Sequence, residues 1–473
     1  MTNQVRLRIA ERDFERLKAY VLSTMPREAG AFALAGVAKH SGSTDIIVRR
    51  AVQVPEELFG VQTDYRLEIA PRAVNGLIAL CEQNDLGALL CHSHPEDLPY
   101  SPSDDYGEGR VFETIRPFVP DKAPLASLLF YPGGVRGRVW SPQERCFVPL
   151  DAITVVGRRI TALDVTGTDT IGRTMNSELF DRQVRAFGEQ GQTRISKARV
   201  AVVGVGGTGS ATAEQLVRLG VEDLVLIDPD GFEPSNLTRV YGTFGRSNGR
   251  RWWGLRPRRD PKVELVAEHL RRIRPRARVV SLAKSVVVRE AAAMLLDRDV
   301  IMLCTDDHWG RSIVNQIAYQ YLIPTINMGV RIASDKRRVS AANGSIDVLR
   351  PDKPCLWCSG LLRAERVSAE STPGPQRRAL QAEGYLEGLE NPTPSVISIT
   401  TTVSGMAVSL FLQLMTDFMG QSGDVARLNY DPISATVRRG LTAVREDCVC
   451  REVKGFGDLK PLHTLEDLSY LDN

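Results

Sequence analysis

A short apolar strand that leads directly into a glycine-rich turn constrains the fold of this chain more than any other feature. The strand covers Val200–Val203, and four glycines follow it between positions 204 and 209. Strand and helix patterns then alternate from 211 to 328, with helices predicted over Ala211–Leu219 and Lys262–Ile273 and a strand over Val300–Leu303. This alternation predicts a parallel sheet with helices on both faces, and such sheets bind phosphate groups at a turn of this kind. Taken alone, the turn fits a dinucleotide site equally well.

Ordered polar motifs around this turn distinguish between the nucleotide chemistries. The motifs are Ser177-Glu-Leu-Phe-Asp-Arg182-Gln183, Asp228-Pro-Asp230, Ser235-Asn236-Leu237-Thr-Arg239, Pro261-Lys262 and Cys304-Thr-Asp306-Asp307. Two cations can neutralise the phosphates of ATP and a carboxylate can hold Mg²⁺, whereas an NAD enzyme needs neither. Residues 176–450 therefore resemble the ubiquitin-activating and molybdopterin/thiamine-type adenylyltransferases.

The resemblance implies that ATP and Mg²⁺ activate the C-terminal carboxylate of a ubiquitin-like or sulfur-carrier protein. It assigns Arg239 and Lys262 to catalysis at the phosphates, Asp306 to magnesium, and Arg182 to the ATP of a partner subunit, which predicts a homodimer. The residues that it places around the nucleotide are Gly204, Gly206, Gly207, Gly209, Asp228, Asp230, Ser235, Asn236, Leu237, Arg239 and Lys262.

The eight cysteines are too few for a disulfide scaffold in a chain of 473 residues. Four of them form the pairs Cys355-x-x-Cys358 and Cys448-x-Cys450. These pairs predict a closed, structural Cys₄ zinc site, with four reduced core thiols as the alternative.

The segment 359–402, where ubiquitin-type activating enzymes usually carry a catalytic cysteine, contains none. Cys304 lies beside the expected nucleotide and is predicted to be packed. The enzyme then either stops at the acyl-adenylate or transfers the acyl group to oxygen. Ser371 and Thr372 are the candidate acceptors, and a plain loop turn is the alternative.

A second group of chemically active residue types lies in residues 1–150, which read as an α+β domain. His92 and His94 share one face of a predicted strand, and Ser101 and Asp104 follow. Two imidazoles and a carboxylate can hold Zn²⁺ and leave a coordination position open. Together with the upstream Glu28, these residues resemble the JAMM/MPN metalloprotease family over about residues 5–145.

This resemblance implies that Glu28 is a general base and then acid, that Ser101 stabilises an oxyanion, and that His92, His94 and Asp104 bind catalytic zinc. The loop before Ser101 is one residue shorter than the family pattern, so Asp105 is a rival ligand. Two buried core histidines beside a loop acid are the alternative.

The expected fold class is α/β, in three parts. An α+β JAMM/MPN domain covers 1–150, a linker covers 151–175, and a Rossmann-like adenylating domain with a mainly parallel sheet and the Cys₄ site covers 176–473.

The apolar stretch 395–415 contains Ser, Thr and Gly, which favours a core helix over a membrane span. The first residues lack the apolar segment of a signal peptide, so the prediction is a cytoplasmic protein.

The net charge of +3 does not indicate nucleic-acid binding. Basic residues are nevertheless concentrated in 246–259, which holds six arginines and no acid. This insert either binds an acidic partner or is a solvated loop. The functional hypothesis is a bifunctional enzyme that adenylates a ubiquitin-like protein, with a conjugating enzyme as a candidate partner, and that cleaves or removes the same protein. The alternatives are a sulfur-carrier activating enzyme with an adduct-trimming peptidase, and a binding module without catalysis.

Overall fold

The computed structural model describes residues 4–40, 42–163, 177–244, 260–335, 338–373, 376, 394–466 and 468. The basic insert 246–259 therefore lies outside the described residues. Backbone contacts divide the chain into two units. Among the described residues, the first unit contains 4–163, 319–322 and 453–461, and the second contains 177–318, 323–452 and 462–468.

The first unit is a nine-stranded sheet in the order β11-β10-β1-β3-β2-β6-β7-β8-β9, accompanied by a separate β4-β5 pair. Its elements are β1 (Gln4–Ala10), α1 (Glu11–Val21), β2 (Gly30–His40), β3 (Ser43–Gln53), β4 (Phe59–Gln62), β5 (Leu67–Ile69), α2 (Pro71–Asn84), β6 (Gly87–Ser93), α3 (Pro102–Ile115), β7 (Leu125–Tyr131), β8 (Gly134–Ser141), β9 (Cys146–Pro149), β10 (Ala152–Val156) and β11 (Ile160–Leu163).

Two apolar cores cover the two faces of this sheet. Phe14 and Leu17 of α1 belong to one core, and Leu77 of α2 and Phe112 of α3 belong to the other. All four side chains are buried. Because side chains alternate along a strand, the central strand β6 contributes to both cores, which explains why its sequence is a continuous apolar run.

The predicted domain boundaries need two corrections. Residues 152–163 are not a linker, because β10 pairs with β1 and β11 pairs with β10, and Ile153 and Val156 are buried. Residues 453–461 belong to the first unit rather than to the adenylating domain. The side chain of Phe456 packs into the core beside α2 and α3, and the Asp458 N–H donates to the Val37 carbonyl at 2.6 Å.

The second unit contains an eight-stranded sheet in the order β14-β13-β12-β15-β16-β17-β18-β19. Its elements are α4 (Ser177–Lys197), β12 (Arg199–Val203), α5 (Gly207–Leu219), β13 (Asp223–Ile227), α6 (Lys262–Ile273), β14 (Arg278–Leu282), α7 (Arg289–Ala293), β15 (Val300–Leu303), α8 (His308–Gln320), β16 (Thr325–Asp335), β17 (Arg338–Leu349), α9 (Ala364–Ser371), α10 (Ile397–Thr416), β18 (Arg427–Asp431), β19 (Thr436–Arg439) and α11 (Val449–Glu452).

Strand direction divides this sheet into two parts. The first five strands in the spatial order run parallel, and the remaining three pair antiparallel. The chain moves outward from β12 through β13 to β14, and then crosses to β15 on the other side of β12. The carboxyl ends of β12 and β15 therefore flank a topological switch point, which is where open α/β sheets bind their ligands.

Among the described residues, one helix, α10, has the length and composition of a membrane span, and half of its apolar stretch is buried. Val403 and Phe411 are buried, and the Ser404 hydroxyl donates to the Thr208 carbonyl of α5 at 2.8 Å. Helix α10 is thus packed inside the second unit, as expected for a core helix.

Candidate functional site

The glycine-rich turn brings the N-terminus of α5 to the end of β12. Gly204 has φ +85°, a left-handed conformation that side chains disfavour, and its N–H donates to the Ile227 carbonyl at 2.8 Å. An added Cβ at Gly209 would lie 1.8 Å from the Gly204 carbonyl oxygen. Close packing between turn and helix therefore requires glycine at both positions, and it leaves the unpaired N–H groups of the first helical turn open to an anion.

A cavity of about 570 Å³ lies at this switch point. Its lining contains the helix N-terminus, the carboxyl ends of β12, β13 and β15, and charged side chains of both signs. The predicted site residues that line it are Gly204, Gly206, Gly207, Asp228, Asp230, Arg239, Lys262 and Asp306. These predicted residues give the cavity backbone donors, two cations and three carboxylates, which suits an anionic, metal-bridged nucleotide.

The two aspartates after β13 have different roles. Asp228 is buried, and its carboxylate accepts from the Val205 N–H at 2.6 Å and from the Asp230 N–H at 2.9 Å. Burial raises the pKa of Asp228, and the Val205 N–H and the Lys262 charge oppose that shift. Asp230 holds the Lys262 Nζ at 2.7 Å. Asp228 therefore ties the turn to the next strand, whereas Asp230 positions a cation.

Four cysteines of the second unit have their sulfur atoms clustered. The Sγ–Sγ distance is 3.7 Å from Cys355 to Cys358, 3.4 Å from Cys355 to Cys448 and 3.8 Å from Cys358 to Cys450. Zinc–sulfur bonds of about 2.3 Å in a tetrahedron separate the sulfurs by about 3.8 Å. Hydrogen bonding with the Cys450 thiol lowers the pKa of Cys355 to about 5, which favours the thiolate that metals bind. The set fits a Cys₄ zinc site.

In the first unit, His92 and His94 lie at the end of β6 with ring centroids 5.1 Å apart. Asp104, in the first turn of α3, places its carboxylate oxygens 3.7 Å from His92 Nε2 and 3.5 Å from His94 Nε2. One ligand atom from each of the three residues falls within 4.8 Å of the others. His92 Nε2 is buried and has no hydrogen-bond partner among the described residues. A buried nitrogen left unpaired and facing a carboxylate fits a missing cation.

Glu28 lies beside this cluster, just before β2. Its Oε1 is 3.8 Å from His94 Nε2, and the residue is 6% exposed. Burial raises the pKa of Glu28, although the neighbouring His94 and His92 oppose that shift. A carboxylate of increased basicity, next to the cluster and outside the predicted ligand set, is placed to accept a proton.

The start of α3 separates the two rival aspartates. The Ser101 N–H donates to Asp104 at 2.6 Å, and the Ser101 hydroxyl accepts from the Asp104 N–H at 3.2 Å, which forms a capping box. This cap directs Asp104 toward the histidines and leaves the Ser101 hydroxyl proton free to donate. Asp105 instead pairs with Arg138, and its side chain is 57% exposed. The geometry favours Asp104 over Asp105 as the ligand.

Comparison with known proteins classifies the second unit. The model of the ThiF family matches residues 180–451, more than half of the chain. The chain belongs to the ThiF family. This match contains the predicted residues that line the cavity and all four clustered cysteines, and it leaves residues 4–163 of the first unit outside its bounds.

Individual ThiF-family relatives cover part of the chain. The molybdopterin-synthase adenylyltransferase of Escherichia coli is 27% identical over 215 residues, which are 45% of this chain and 79% of that enzyme. The ubiquitin-like modifier-activating enzyme 5 of Aedes aegypti is 27% identical over 239 residues, 48% of this chain and 52% of the relative, so the match spans about half of the relative's length. The E. coli MccB structure with MccA-N7isoASN has a TM-score of 0.46 at 14% identity, and the match covers 59% of this chain and 76% of MccB.

Several predicted site residues do not line the ThiF-family cavity. Gly209 packs α5 against the turn, and Asn236 is buried, where its Oδ1 accepts from the Glu233 N–H at 2.9 Å. Ser235 and Leu237 lie exposed on the same short turn, and Arg182 is exposed on α4. Within a single chain, these residues therefore lie near the cavity or apart from it, without lining it.

The two proposed acyl acceptors, Ser371 and Thr372, lie outside the cavity. Ser371 lies at the end of α9, where its hydroxyl donates to the Ser368 carbonyl at 3.1 Å, and the Thr372 hydroxyl donates to the same carbonyl at 2.6 Å. Neither lines the cavity, whereas Cys304 does. Burial raises the pKa of Cys304 to about 12, so its thiol stays protonated at neutral pH and is a poor nucleophile.

Sequence reasoning assigned no role to three polar residues around this cavity. Arg311 and Glu370 line it, and the Glu370 carboxylate accepts from the Trp309 N–H at 2.7 Å at the start of α8. Asp307 also lines the cavity, and its carboxylate accepts from Gly310 within the same helical turn. The Asp307-x-x-Gly310 spacing resembles a helix N-cap and could have identified Asp307, but no local pattern links Glu370 to a helix about sixty residues away.

Proposed function

We propose that the second unit uses ATP and Mg²⁺ to adenylate the C-terminal carboxylate of a ubiquitin-like or sulfur-carrier protein. The observation that carries this proposal is the shared cavity of Arg239, Lys262 and Asp306 at the N-terminus of α5. The adenylyltransferase and modifier-activating names of two relatives agree with it. Adenylation must bring two anions together, and the cavity supplies the opposing charge.

The residues divide this work between binding and charge neutralisation. Backbone N–H groups after Gly206 would receive a phosphate, and Asp228 would face the ribose. Arg239 and Lys262 would neutralise the phosphates as the carboxylate attacks the α-phosphorus and pyrophosphate leaves. Asp306 is exposed at the cavity and would hold Mg²⁺. When bound, Mg²⁺ bridges phosphate oxygens and spreads their charge.

ATP–pyrophosphate exchange tests this assignment. The full chain should exchange pyrophosphate only when one of its own organism's ubiquitin-like or sulfur-carrier proteins is present with a free C-terminus. Arg239→Ala and Lys262→Ala should each lower the rate about 10²–10³-fold, as loss of one transition-state donor typically does. Arg218→Ala is the matched control, because Arg218 pairs with Glu214 on α5 and lies outside the cavity. Exchange that survives in both cavity variants would contradict the proposal.

The adenylate can be consumed either by conjugation or by thiocarboxylate formation. The cavity offers Cys304 as a protonated thiol, and the oxygen acceptors lie outside it. We therefore infer direct transfer of the activated carrier to a partner, either a conjugating enzyme or a sulfur donor. A homodimer in which Arg182 reaches the ATP of the second chain belongs to the same proposal, as does a cytoplasmic location, where ATP and reduced thiols are available.

We further propose that the first unit is a zinc peptidase or isopeptidase of the JAMM/MPN type that processes the same carrier. The observation that carries this is the convergence of His92, His94 and Asp104, with Glu28 beside them. When bound, the zinc ion supplies Lewis-acid catalysis at an open coordination position. Glu28 would take a proton from the attacking water and return it to the leaving amine, while the Ser101 hydroxyl would donate to the oxyanion.

A pair of glutamate variants tests the peptidase. Glu28→Gln should keep its zinc and lose cleavage of a C-terminally extended carrier, because the side chain acts on protons rather than on the metal. Glu56→Gln is the control, since Glu56 is exposed and its carboxylate pairs with the exposed Arg27 at 3.8 Å. If Glu28→Gln loses the metal, or if it still cleaves the carrier at the wild-type rate, the assigned role is wrong.

A further inference from the structure

Behind the three proposed zinc ligands lies a buried acid that the proposed mechanism does not use. Glu108 follows Asp104 by one turn of α3 and so faces the same side of the helix. Its Oε1 is 3.3 Å from His92 Nδ1, on the side of the ring opposite the cluster. Glu108 and His92 are 8% and 7% exposed. Among the described residues, Glu108 Oε1 is buried and has no hydrogen-bond partner, so the nearby His92 Nδ1 is the group placed to donate to it.

The second oxygen of Glu108 is fixed by a buried arginine. Arg138 Nη2 and Nε donate to Glu108 Oε2 at 2.7 and 3.1 Å. The guanidinium lies between the rings of Tyr100 and Phe147, with its carbon 3.6 Å from each centroid. Arg138 is thus held in one orientation, and it holds the carboxylate with Oε1 facing His92.

The Nδ1 atoms of the two histidines have different surroundings. His92 can donate an Nδ1–H hydrogen bond to Glu108 Oε1, and this leaves its Nε2 lone pair facing Asp104. His94 Nδ1, in contrast, is buried without a hydrogen-bond partner among the described residues. A carboxylate behind a metal-binding imidazole fixes the tautomer and the ring angle and increases the basicity of the ligating nitrogen.

We propose that Glu108, oriented by Arg138, is a positioning residue that fixes His92 as the Nδ1–H tautomer and thereby strengthens zinc binding through Nε2. The inference rests on the zinc site proposed above. Glu108 does not bind the metal in this proposal. It lies behind the three ligands, on the same helix as Asp104.

Zinc affinity measured by competition with a chromophoric chelator provides the first test. Glu108→Gln keeps the shape of the side chain and removes its charge, and it should weaken zinc binding about 10- to 100-fold. Asp105→Asn is the matched control, because Asp105 also pairs with Arg138 but is exposed and does not face His92. It should bind zinc like the wild type. The Cys₄ cluster is common to all three proteins, so the differences report on the histidine site.

Loss of Glu108 could unfold the unit by leaving Arg138 buried without its partner, so a second measurement uses the wild-type chain. Long-range ¹H–¹⁵N NMR of the zinc-loaded protein should show the His92 proton on Nδ1. A His92 ring protonated on Nε2, or equal zinc affinity in Glu108→Gln and Asp105→Asn, would overturn the inference while leaving the zinc site intact. A wild-type chain that binds no zinc at this site would overturn both.

Discussion

Substituting Gly209 by alanine should separate the architecture of the glycine-rich turn from its contact with nucleotide. An added Cβ at this position would lie 1.8 Å from the Gly204 carbonyl oxygen and 3.2 Å from the Cys304 Cβ. The first neighbour is backbone and cannot rotate away. Because Cβ contacts under 3.0 Å are essentially never seen, α5 and the turn must separate by about 1 Å.

The expected cost follows from two opposing effects. Forcing an extra methyl group into a packed site typically costs about 1–3 kcal/mol. Replacing glycine by alanine within a helix returns roughly 0.5–1 kcal/mol. The free energy of opening of α5 should therefore fall by about 0.5–2 kcal/mol, which is a factor of about 2–30 in the open population.

Hydrogen exchange of α5 amides is a suitable assay because it reports this segment alone in a chain with two units. Gly206→Ala is the control, since Gly206 lines the cavity, has φ −79°, and an added Cβ there meets nothing within 4 Å. That variant should retain near-wild-type exchange and bind ATP about tenfold more weakly or worse, because its methyl group occupies the phosphate approach. Wild-type exchange and ATP affinity in Gly209→Ala would refute the reasoning.

Three further predictions concern the metals and the thiols. Asp104→Ala should lose zinc from the histidine cluster while Asp105→Ala retains it, as measured by metal content; the reverse result would identify Asp105 as the ligand. Cys450→Ser should release one zinc ion per chain and lower Tm, because a closed site loses one of its four ligands, and unchanged zinc content would exclude a Cys₄ site. No carrier adduct labile to dithiothreitol should form on the second unit at neutral pH, because burial raises the pKa of Cys304 to about 12 and keeps its thiol protonated. An adduct abolished by Cys304→Ser would contradict this.

Local patterns predicted the parts of the fold in which neighbouring residues determine the structure. The helix over Lys262–Ile273 and the strand over Val300–Leu303 have the predicted bounds, because apolar periodicity and an adjacent turn define both. Helix α5 starts at Gly207 rather than at the predicted 211. Glycines disfavour a helix locally, but the close packing against the turn places them in its first turn.

Long-range pairing accounts for most of what the sequence did not predict. Phe456 follows residues 323–452 of the second unit in the sequence, yet it packs in the core of the first unit. Its sequence neighbours do not indicate this packing. Likewise, β10 joins the sheet by pairing with β1, about 146 residues earlier in the chain. The sequence predicted that His92, His94 and Asp104 or Asp105 lie together, and the first three do cluster, whereas the position of Glu108 behind His92 requires the geometry of α3 against β6.

Direct detection of the acyl-adenylate tests the central claim most directly. The full chain is incubated with MgATP and a ubiquitin-like or sulfur-carrier protein of its own organism, in a free-carboxylate and a C-terminally amidated form, and the carrier mass is measured. The account predicts an AMP adduct on the free form only, and its loss in Asp306→Ala with the fold intact. An AMP adduct on the amidated carrier, or an undiminished adduct in Asp306→Ala, would contradict it.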